Sequence, residues 1–504
     1  MYKYYFIIVI SLSVFYYSFQ MTTPPNGRHV SGMTDYYAVS LNFIRNDFSN
    51  FFTPETYCLN PQFGPKKNTS LSYWSYTDHK LIGITALDFP INEFNVAILM
   101  KVFNTYSPFI YRFYTLLISL IGLFFLFKTA LKLTQSILIA SATILFCFTV
   151  PSYAFYANSF LASPVALSLF FISNYYLSLY YNTKNIQSFF LSILFLTLSS
   201  LMRFTFLIFL ISYTSTTIIY AIYTRKVYLK ELVIVFLAIL IVLCYFTYNK
   251  YLGYNYGSIF LSSPNYPKNF TQLKTIFLRI ITHKSWYYGT LIHFVIFVKA
   301  LLFIIKHKKG LFIKIKNNYL LTHIVISLLG CSLFFIIGMT QFAYHDYYIL
   351  DTFFPVILYF LLILASKNKS ILEPLIKKKI ISYGFAAVVL CFAINYADTS
   401  LRKNKTYTIN QQIFYNSYLT LDSLHISKNA KILMLGSSGS NLPLAFTHRK
   451  GYSILKDKYI NIKPNVYKNW EYDYIITKNT DTLPNLFINK NKLIYSNKNY
   501  SIYK

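Results

Sequence analysis

Residues 187–222 read QSFFLSILFLTLSSLMRFTFLIFLISYTSTTIIYAI, an apolar stretch in which Arg203 is the single charged residue. About 20 apolar residues cross a bilayer as a helix, so this stretch predicts two spans joined at Arg203. Comparable stretches predict about eleven spans in all. They lie at about 3–20, 107–127, 134–150, 161–181, 187–202, 204–222, 229–248, 286–305, 320–338, 347–365 and 378–395.

The composition supports a mainly α-helical, polytopic membrane protein. Of 504 residues, 55% are hydrophobic and only 12% are charged, against about 25% charged in soluble domains. An aromatic share of 20% excludes a disordered or fibrous chain. A net charge of +31 would indicate nucleic-acid binding in a soluble protein, but here the positions of the charges matter more than their sum.

Most of the positive charge is explained by topology. Lys and Arg in short connections stay on the cytoplasmic side, and this rule places the N-terminus in the cytoplasm. Arg203 is then the only cation in the short outer turns. The first stretch is predicted to be a retained helix, because no small-residue cleavage site follows it. We expect a multi-pass plasma (inner) membrane protein, of bacterial origin.

Two domains are predicted. Residues 1–395 form the transmembrane domain, with a long first extracytoplasmic loop, 21–106. Residues 396–504 form a small extracytoplasmic α/β domain, because strand-like runs such as 431–435 and 474–477 alternate with polar segments. The glycines at 436 and 439 lack the third glycine of a dinucleotide loop, which favours an ordinary turn.

Carboxylates are scarce within the spans and concentrated in the first loop. Between residues 107 and 395 the only acids are Glu231, Asp346, Asp351 and Glu373. The first loop alone holds Asp35, Asp47, Glu55, Asp78, Asp88 and Glu93. Any carboxylate chemistry is therefore expected outside, with Asp35 just ahead of a run of helical spacing, Tyr36 to Arg45.

An amphipathic stretch opens at Leu87-Asp88-Phe89-Pro90 and continues to Phe103. It is too short to cross the bilayer and fits a helix lying in the interface. A helix packed on the first loop fits the pattern equally well.

Cations near the outer span ends are candidate phosphate ligands. Arg203 would be costly in lipid unless it is exposed or paired with an anion, and a phosphate suits a bidentate guanidinium. Arg112 fits a simple anchor better than a ligand. His345 and Asp346 fit either mutual pairing or contact with headgroups, and His29, His79 and His345 lack the spacing of a zinc site.

These features together resemble membrane glycosyltransferases of the GT-C superfamily, especially bacterial relatives of protein O-mannosyltransferases and aminoarabinose transferases. Three pieces carry the resemblance: Gly27 to Tyr37, Asp88-Phe89-Pro90 and His345 to Tyr348. Two positions depart from the family: Ser159 to Pro164 lacks an acid that many relatives have, and Arg203 stands where relatives often have Lys.

The resemblance implies a polyprenyl-phosphate sugar as donor and transfer to a lipid, glycan or protein acceptor on the outer face, with inversion. It assigns Asp35 as the catalytic base. The cations at the outer span ends lead to the hypothesis that Arg203, helped by Arg112 or His345, holds the donor phosphate. Further active-site candidates are Arg28, His29, Asp88, Asp346 and Tyr348. No cofactor is assigned, and a divalent metal requirement is left open.

Two other classes compete with this hypothesis. A lipid or glycan transporter or flippase also has many spans, but such proteins place polar sites near the midplane and show paired halves. A non-catalytic scaffold would use only the outer domains, where His448 and Arg449 fit exposed surface residues better than acceptor contacts.

Overall fold

The structure is a computed structural model that describes residues 13, 16–59, 82–226, 228–256, 266–306, 319–377, 412–437, 439–455, 470–479 and 492–504. Most of the predicted first span, all of the predicted span 378–395, and the first-loop residues Asp78 and His79 lie outside these residues.

The described part is dominated by helices. In chain order they are α1 (Val30–Arg45), α2 (Ile91–Val102), α3 (Pro108–Thr134), α4 (Ile137–Phe148), α5 (Pro151–Tyr156), α6 (Ser163–Thr183), α7 (Ile186–Met202), α8 (Leu207–Thr224), α9 (Leu229–Tyr256), α10 (Phe270–Arg279), α11 (Ser285–Tyr288), α12 (Leu291–Lys306), α13 (Tyr319–Tyr344), α14 (Phe353–Lys367), α15 (Lys369–Lys377), α16 (Ser417–Ser423) and α17 (Leu442–Thr447). Short 3-10 turns occupy Ser18–Gln20, Phe204–Phe206 and Asp346–Ile349, and a π-helical turn occupies Ile280–Lys284.

Helices coincide with each predicted span between 107 and 365. Five are long and apolar enough to cross a membrane: Pro108–Thr134, Phe204–Thr224, Leu229–Tyr256, Tyr319–Tyr344 and Asp346–Lys367. Ile137–Phe148 and Ile186–Met202 are shorter apolar helices. The helical membrane architecture is thereby confirmed, while the full number of spans and their orientation stay predictions.

The chain packs into two compact units. The first comprises Met1–Phe19, Phe113–Phe246 and Ser263–Thr399. The second comprises Gln20–Arg112, Thr247–Ser262 and Ser400–Lys504. In the second unit the first loop and the C-terminal segment share one folded body.

In the first unit, α6 and α7 form an antiparallel hairpin. Lys184 ends α6 in the left-handed conformation, and the Asn185 side chain caps α7 by accepting a bond of 2.9 Å from the Gln187 amide. Gly122 lets α3 approach α6 closely, because a Cβ at that position would lie 2.6 Å from the Ser168 hydroxyl. These contacts fix the α6–α7 hairpin, and Arg203 follows α7 directly.

In the second unit, helices α1 and α2 pack together beside a five-stranded sheet of order β2-β1-β3-β5-β4. The strands are β1 (Ile432–Ser437), β2 (Gly451–Leu455), β3 (Tyr474–Lys478), β4 (Leu493–Ser496) and β5 (Tyr500–Tyr503). Strand β1 is parallel to β2 and β3, and β5 is antiparallel to β3 and β4. The predicted α/β character of the C-terminal segment is confirmed.

A piece of the first loop extends this sheet. Cys58 forms a parallel bridge with Gly451, where the Gly451 amide bonds to the Tyr57 carbonyl at 3.0 Å and the Leu59 amide bonds to the Gly451 carbonyl at 2.7 Å. Only glycine fits at 451, since a Cβ there would lie 1.9 Å from the Ile432 carbonyl oxygen. The loop and the sheet are therefore joined by backbone hydrogen bonds as well as by side chains.

Candidate active site

Helix α1, which carries Asp35, begins at a tightly held turn. Gly27 and His29 both adopt positive φ, 73° and 53°, so the chain reverses just before Val30. The buried Arg112 guanidinium reaches this turn from α3 and donates to the Thr23 carbonyl at 2.8 Å. Its Nη2 bonds the Pro24 carbonyl at 3.3 Å. Arg112 therefore fixes the start of α1, while its role as an anchor of the span end stays a prediction.

The half-buried Asp35 carboxylate is held by the C-terminal segment. Asn441, which lies just before α17, donates from Nδ2 to Asp35 Oδ1 at 2.7 Å. The Asn441 Oδ1 in turn accepts the Cys58 backbone N–H at 2.8 Å. Because Cys58 occupies the acceptor end of the amide, the donor end is directed at Asp35. An amide donor aimed at a carboxylate favours its charged form, which is the form a base requires.

The neighbouring residue on α1 places Asp88. The Tyr36 hydroxyl donates to Asp88 Oδ2 at 2.6 Å, and both side chains are buried. Asn249 holds the backbone of Leu87 through both ends of its side-chain amide, including an Oδ1 contact of 3.1 Å to the Leu87 N–H. The Asp88-Phe89-Pro90 piece is thus joined to the helix that carries Asp35.

A third carboxyl, Glu93, is more deeply enclosed. Its Oε1 accepts the Tyr111 hydroxyl at 2.8 Å and Asn92 Nδ2 at 3.1 Å, and the side chain is 1% exposed. Burial raises the pKa of Glu93 to about 7, although the bonds from Tyr111 and Asn92 act in the opposite direction. Glu93 is therefore poised between its two protonation states near neutral pH.

In the first unit, the anion that pairs with Arg203 is a carboxylate of the chain itself. Arg203 Nε lies 2.8 Å from Asp351 Oδ2, and both side chains are almost fully buried. Asp351 Oδ2 also accepts the Ser163 hydroxyl at 3.2 Å. Asp351 Oδ1 is buried without a hydrogen-bond partner among the described residues. The ion pair ties the end of α7 to the turn that precedes α14.

The late His-Asp-Tyr-Tyr motif surrounds the same arginine. The Arg203 guanidinium carbon lies 4.9 Å from the ring centre of Tyr347 and 5.3 Å from that of Tyr348. Asp346 accepts the Tyr156 hydroxyl at 2.5 Å. The His345 ring lies against both tyrosines, at centroid distances of 5.5 and 6.1 Å. Arg203 and this motif, separate in sequence, are thus brought together.

Several residues around Asp35 and around Arg203 were not singled out by the sequence. Asp351 carried a usable signal, because an acid inside an apolar span marks a pairing or functional site. Asn441 and Tyr36 carried none, since amides and tyrosines are common throughout this chain. Glu93 was counted among the first-loop acids, but its enclosure depends on Tyr111 of another helix.

The expected exposure of His448 and Arg449 was wrong. Arg449 is fully buried, with Nη2 2.6 Å from Asp422 Oδ1 and 2.7 Å from the Ile426 carbonyl. His448 lies between aromatic rings, including a parallel stack on Tyr418 at 4.2 Å. Burial lowers the pKa of His448 to about 4, and the charge of Arg449 adds to this effect.

The predicted interfacial helix forms α2, which packs on α1. The packing bears out the alternative of a helix packed on the first loop, while its place in the membrane interface stays a prediction. Among the described residues, no group of three or more His, Cys, Asp or Glu side chains is arranged to hold a metal ion.

Comparison by sequence finds no matching protein family and no matching curated protein. Comparison by structure does. The aminoarabinose transferase ArnT from Cupriavidus metallidurans, solved with undecaprenyl phosphate bound, aligns with a TM-score of 0.55 at 9% identity, covering 99% of this chain and 97% of that one. This chain shares the fold of ArnT.

Two further solved structures agree with the fold. The apo state of the same ArnT aligns with a TM-score of 0.50 at 10% identity, covering 99% of this chain and 96% of that one. The oligosaccharyltransferase of Archaeoglobus fulgidus, in complex with zinc and sulfate, aligns with a TM-score of 0.52 at 11% identity, covering 94% and 68%. The resemblance to GT-C enzymes that the sequence indicated is confirmed, and it is the fold that is shared.

Proposed function

We propose that this chain is an integral membrane glycosyltransferase that moves a sugar from a polyprenyl phosphate to an acceptor hydroxyl on the extracytoplasmic face. The observation that carries the proposal is the Asp35 carboxylate, held by the Asn441 amide at the start of a long helix. It is supported by a fold shared with an enzyme whose structure contains undecaprenyl phosphate.

The proposed reaction needs one base. Asp35 takes the proton of the acceptor hydroxyl, and the acceptor oxygen bonds to the anomeric carbon from the side opposite the phosphate. The bond from that carbon to the phosphate oxygen breaks, and polyprenyl phosphate leaves with the bonding electrons. The sugar is transferred with inversion. A positioned base is worth roughly 10²–10⁴-fold in rate.

The leaving phosphate needs positive charge. We assign this role to Arg203, because a guanidinium is always charged and its planar fork of donors matches the geometry of a phosphate. Fixed charge where charge develops is worth about 3–4 kcal/mol per donor. His345, beside the same tyrosines, is a further proposed contact of the phosphate. Arg28, His29, Asp88, Asp346 and Tyr348 remain proposed members of the site.

Arg112 receives a different proposed role. Its guanidinium already bonds the 23–26 turn. We assign it to positioning the start of α1. The donor KM of an Arg112→Lys variant tests the alternative role, contact with the donor phosphate.

The test is reconstitution in liposomes that contain a polyprenyl-phosphate sugar. We expect a covalent sugar–acceptor product and release of polyprenyl phosphate, both read by mass spectrometry. Movement of the lipid across the bilayer with no covalent product would contradict the proposal and favour a flippase. Mass spectrometry of the lipid-linked sugars that accumulate in a strain lacking this protein would identify the donor sugar.

A further inference from the structure

The second unit contains a cavity of about 160 Å³ that the proposed reaction does not use. A water molecule needs roughly 10–15 Å³ of such volume, so the cavity is large enough for a small ring and its hydroxyl groups. Its walls come from α1, the 105–107 turn, the segment at 415–418 and the end of α17.

The walls are aromatic faces with polar edges. Tyr37, Tyr106, Tyr415, Tyr418, Phe446 and His448 supply the rings. Thr105, Ser107 and Asn416 add hydroxyl and amide groups. Rings beside hydroxyls and an amide suit a ligand whose faces are apolar C–H groups and whose rim is a set of hydroxyls.

The rings are held in place before any ligand arrives. His448 is stacked on Tyr418 with 8° between the planes and meets the edge of Tyr106 at 5.2 Å. The Tyr37 hydroxyl donates to the Tyr106 carbonyl at 2.5 Å. Fixed rings reduce the ordering cost of binding, which is the energetic advantage of a preformed site.

The cavity is also electrically neutral. None of the described residues that line it carries a formal charge, and the adjacent Arg449 is directed away, into its bonds with Asp422 and the Ile426 carbonyl. His448 stays uncharged at neutral pH because burial lowers its pKa to about 4. A phosphorylated or ammonium ligand would lack a counter-ion here.

The cavity lies at the far end of the element that holds Asp35. Asn441, just before α17, bonds Asp35, while Phe446 and His448 at the other end of α17 line the cavity. The six residues of α17 rise about 9 Å, and Tyr37, which also lines the cavity, follows Asp35 by two positions on α1.

We propose that this cavity binds a neutral pyranose ring of the acceptor, and that the acceptor is therefore a glycan or glycan-bearing molecule. The inference rests on the proposed function, since it places the bound ring next to a hydroxyl that Asp35 deprotonates. The cavity acts in acceptor selection and takes no part in proton transfer.

The experiment separates binding from catalysis. Saturation-transfer NMR on the full-length protein in detergent, with no donor present, measures contact with maltose, cellobiose and chitobiose as neutral probes. Glucosamine and a sugar phosphate serve as charged probes. We expect saturation of at least one neutral disaccharide and weak saturation of the charged probes.

Matched variants locate the contact. Tyr418→Ala should reduce the saturation at least five-fold, Tyr418→Phe should retain it, and Tyr495→Ala on strand β4 should leave it unchanged. The Asp35→Asn variant should bind the neutral disaccharide as the original chain does, because Asp35 does not line the cavity. In transfer assays Tyr418→Ala should raise the acceptor KM about ten-fold with little change in kcat.

Two outcomes would overturn the inference. The first is equal saturation of the neutral and the charged probes. The second is saturation of a neutral probe that persists in the Tyr418→Ala variant, when the melting curve of that variant shows that it is folded. If sugar binding depends on Tyr418 but the protein never transfers sugar, the sugar-binding role of the cavity would be supported and the proposed transferase function would be contradicted.

Discussion

At the scale of single residues, Asp35 depends on a partner that is 406 positions away in the chain. Asn441 is directed by Cys58, so the amide cannot turn its oxygen to the carboxylate without losing that bond. The carboxylate is stabilised in its charged form by a residue outside the transmembrane segments. Asn441 is thus a positioning residue, and its effect should appear in the pH dependence of the rate.

We expect Asn441→Ala to lower kcat roughly ten-fold, because a hydrogen bond to a charged group is worth about 1.5–3 kcal/mol. The acidic limb of the pH–rate profile should move to higher pH, since the charged form of Asp35 loses its donor, while the donor KM changes little. Asn429→Ala, at an exposed amide of the same unit, is the control. An acidic limb identical to that of the original chain would show that Asn441 has only a structural role.

Glu93 should make stability depend on pH. Its pKa is about 7 in the folded chain against an ordinary value of 4.5, so the folded chain binds the proton more tightly than the unfolded chain does. Stability should therefore fall as pH rises from about 4.5 through about 7, by about 3 kcal/mol in total.

Glu93→Gln keeps the acceptor oxygen but removes the charge. We expect its thermal midpoint in detergent to exceed that of the original chain at pH 8 and to match it near pH 4. Asp47→Asn, at a highly exposed carboxylate paired with Lys101, is the control and should follow the original chain at both pH values. A Glu93→Gln midpoint that is no higher at pH 8 would contradict the enclosure of Glu93.

At the scale of elements, the Arg203–Asp351 pair connects two helix ends that are distant in sequence. Each charge is buried, so removing one partner leaves the other without compensation. Such losses cost about 3–5 kcal/mol, whereas replacing both partners with apolar residues is often nearly neutral.

We expect Asp351→Ala to lower the thermal midpoint strongly, and the double variant Arg203→Met, Asp351→Leu to recover most of that loss. Fluorescence-monitored melting in one detergent provides the comparison. The double variant should nevertheless lose donor binding if Arg203 holds the phosphate. An Asp351→Ala protein as stable as the original would mean that the pair contributes little.

Sequence patterns predicted the helices and strands better than the side-chain contacts between them. Hydropathy predicted the helices, because a bilayer imposes one length and one polarity on each span. The tail strands at 431–435 and 474–477 were also predicted, since buried parallel strands read as continuous apolar runs. Arg203 was expected to be either exposed or paired with an anion, yet Asp351 could not be chosen as its partner, because pairing depends on how distant helix ends meet.

The same limit explains the residues around Asp35. A single sequence shows that Asp35 precedes a helical run, but the bond to Asn441 depends on how the C-terminal segment folds onto the first loop. His448 and Arg449 looked like surface residues because charged and polar side chains usually are. The tertiary fold overrides that tendency with an ion pair and ring stacking.

At the scale of the whole molecule, the C-terminal segment is completed by the first loop. Leu59 lies in the same hydrophobic cluster as Leu433, Tyr452 and Trp470. The backbone of 57–59 also extends the sheet at Gly451. The predicted domain 396–504 should therefore be incomplete when it is separated from residues 20–112.

We expect an isolated 400–504 fragment to melt roughly 10–20 °C below the same fragment joined to residues 20–112. Loss of a buried leucine costs about 2–5 kcal/mol, and 1 kcal/mol shifts the midpoint of a small domain by about 4–8 °C. Circular dichroism gives both midpoints. Equal, cooperative melting of the two proteins would establish 400–504 as an independent domain.

The most direct measurement is the single-turnover rate of sugar transfer from a synthetic polyprenyl-phosphate sugar by purified Asp35→Asn protein, with Asp47→Asn as the matched control. We expect the Asp35→Asn rate to fall roughly 10²–10⁴-fold while the donor still binds, and the Asp47→Asn rate to stay near that of the original chain. An Asp35→Asn protein that is folded and transfers sugar at the original rate would contradict the assignment of Asp35 as the base.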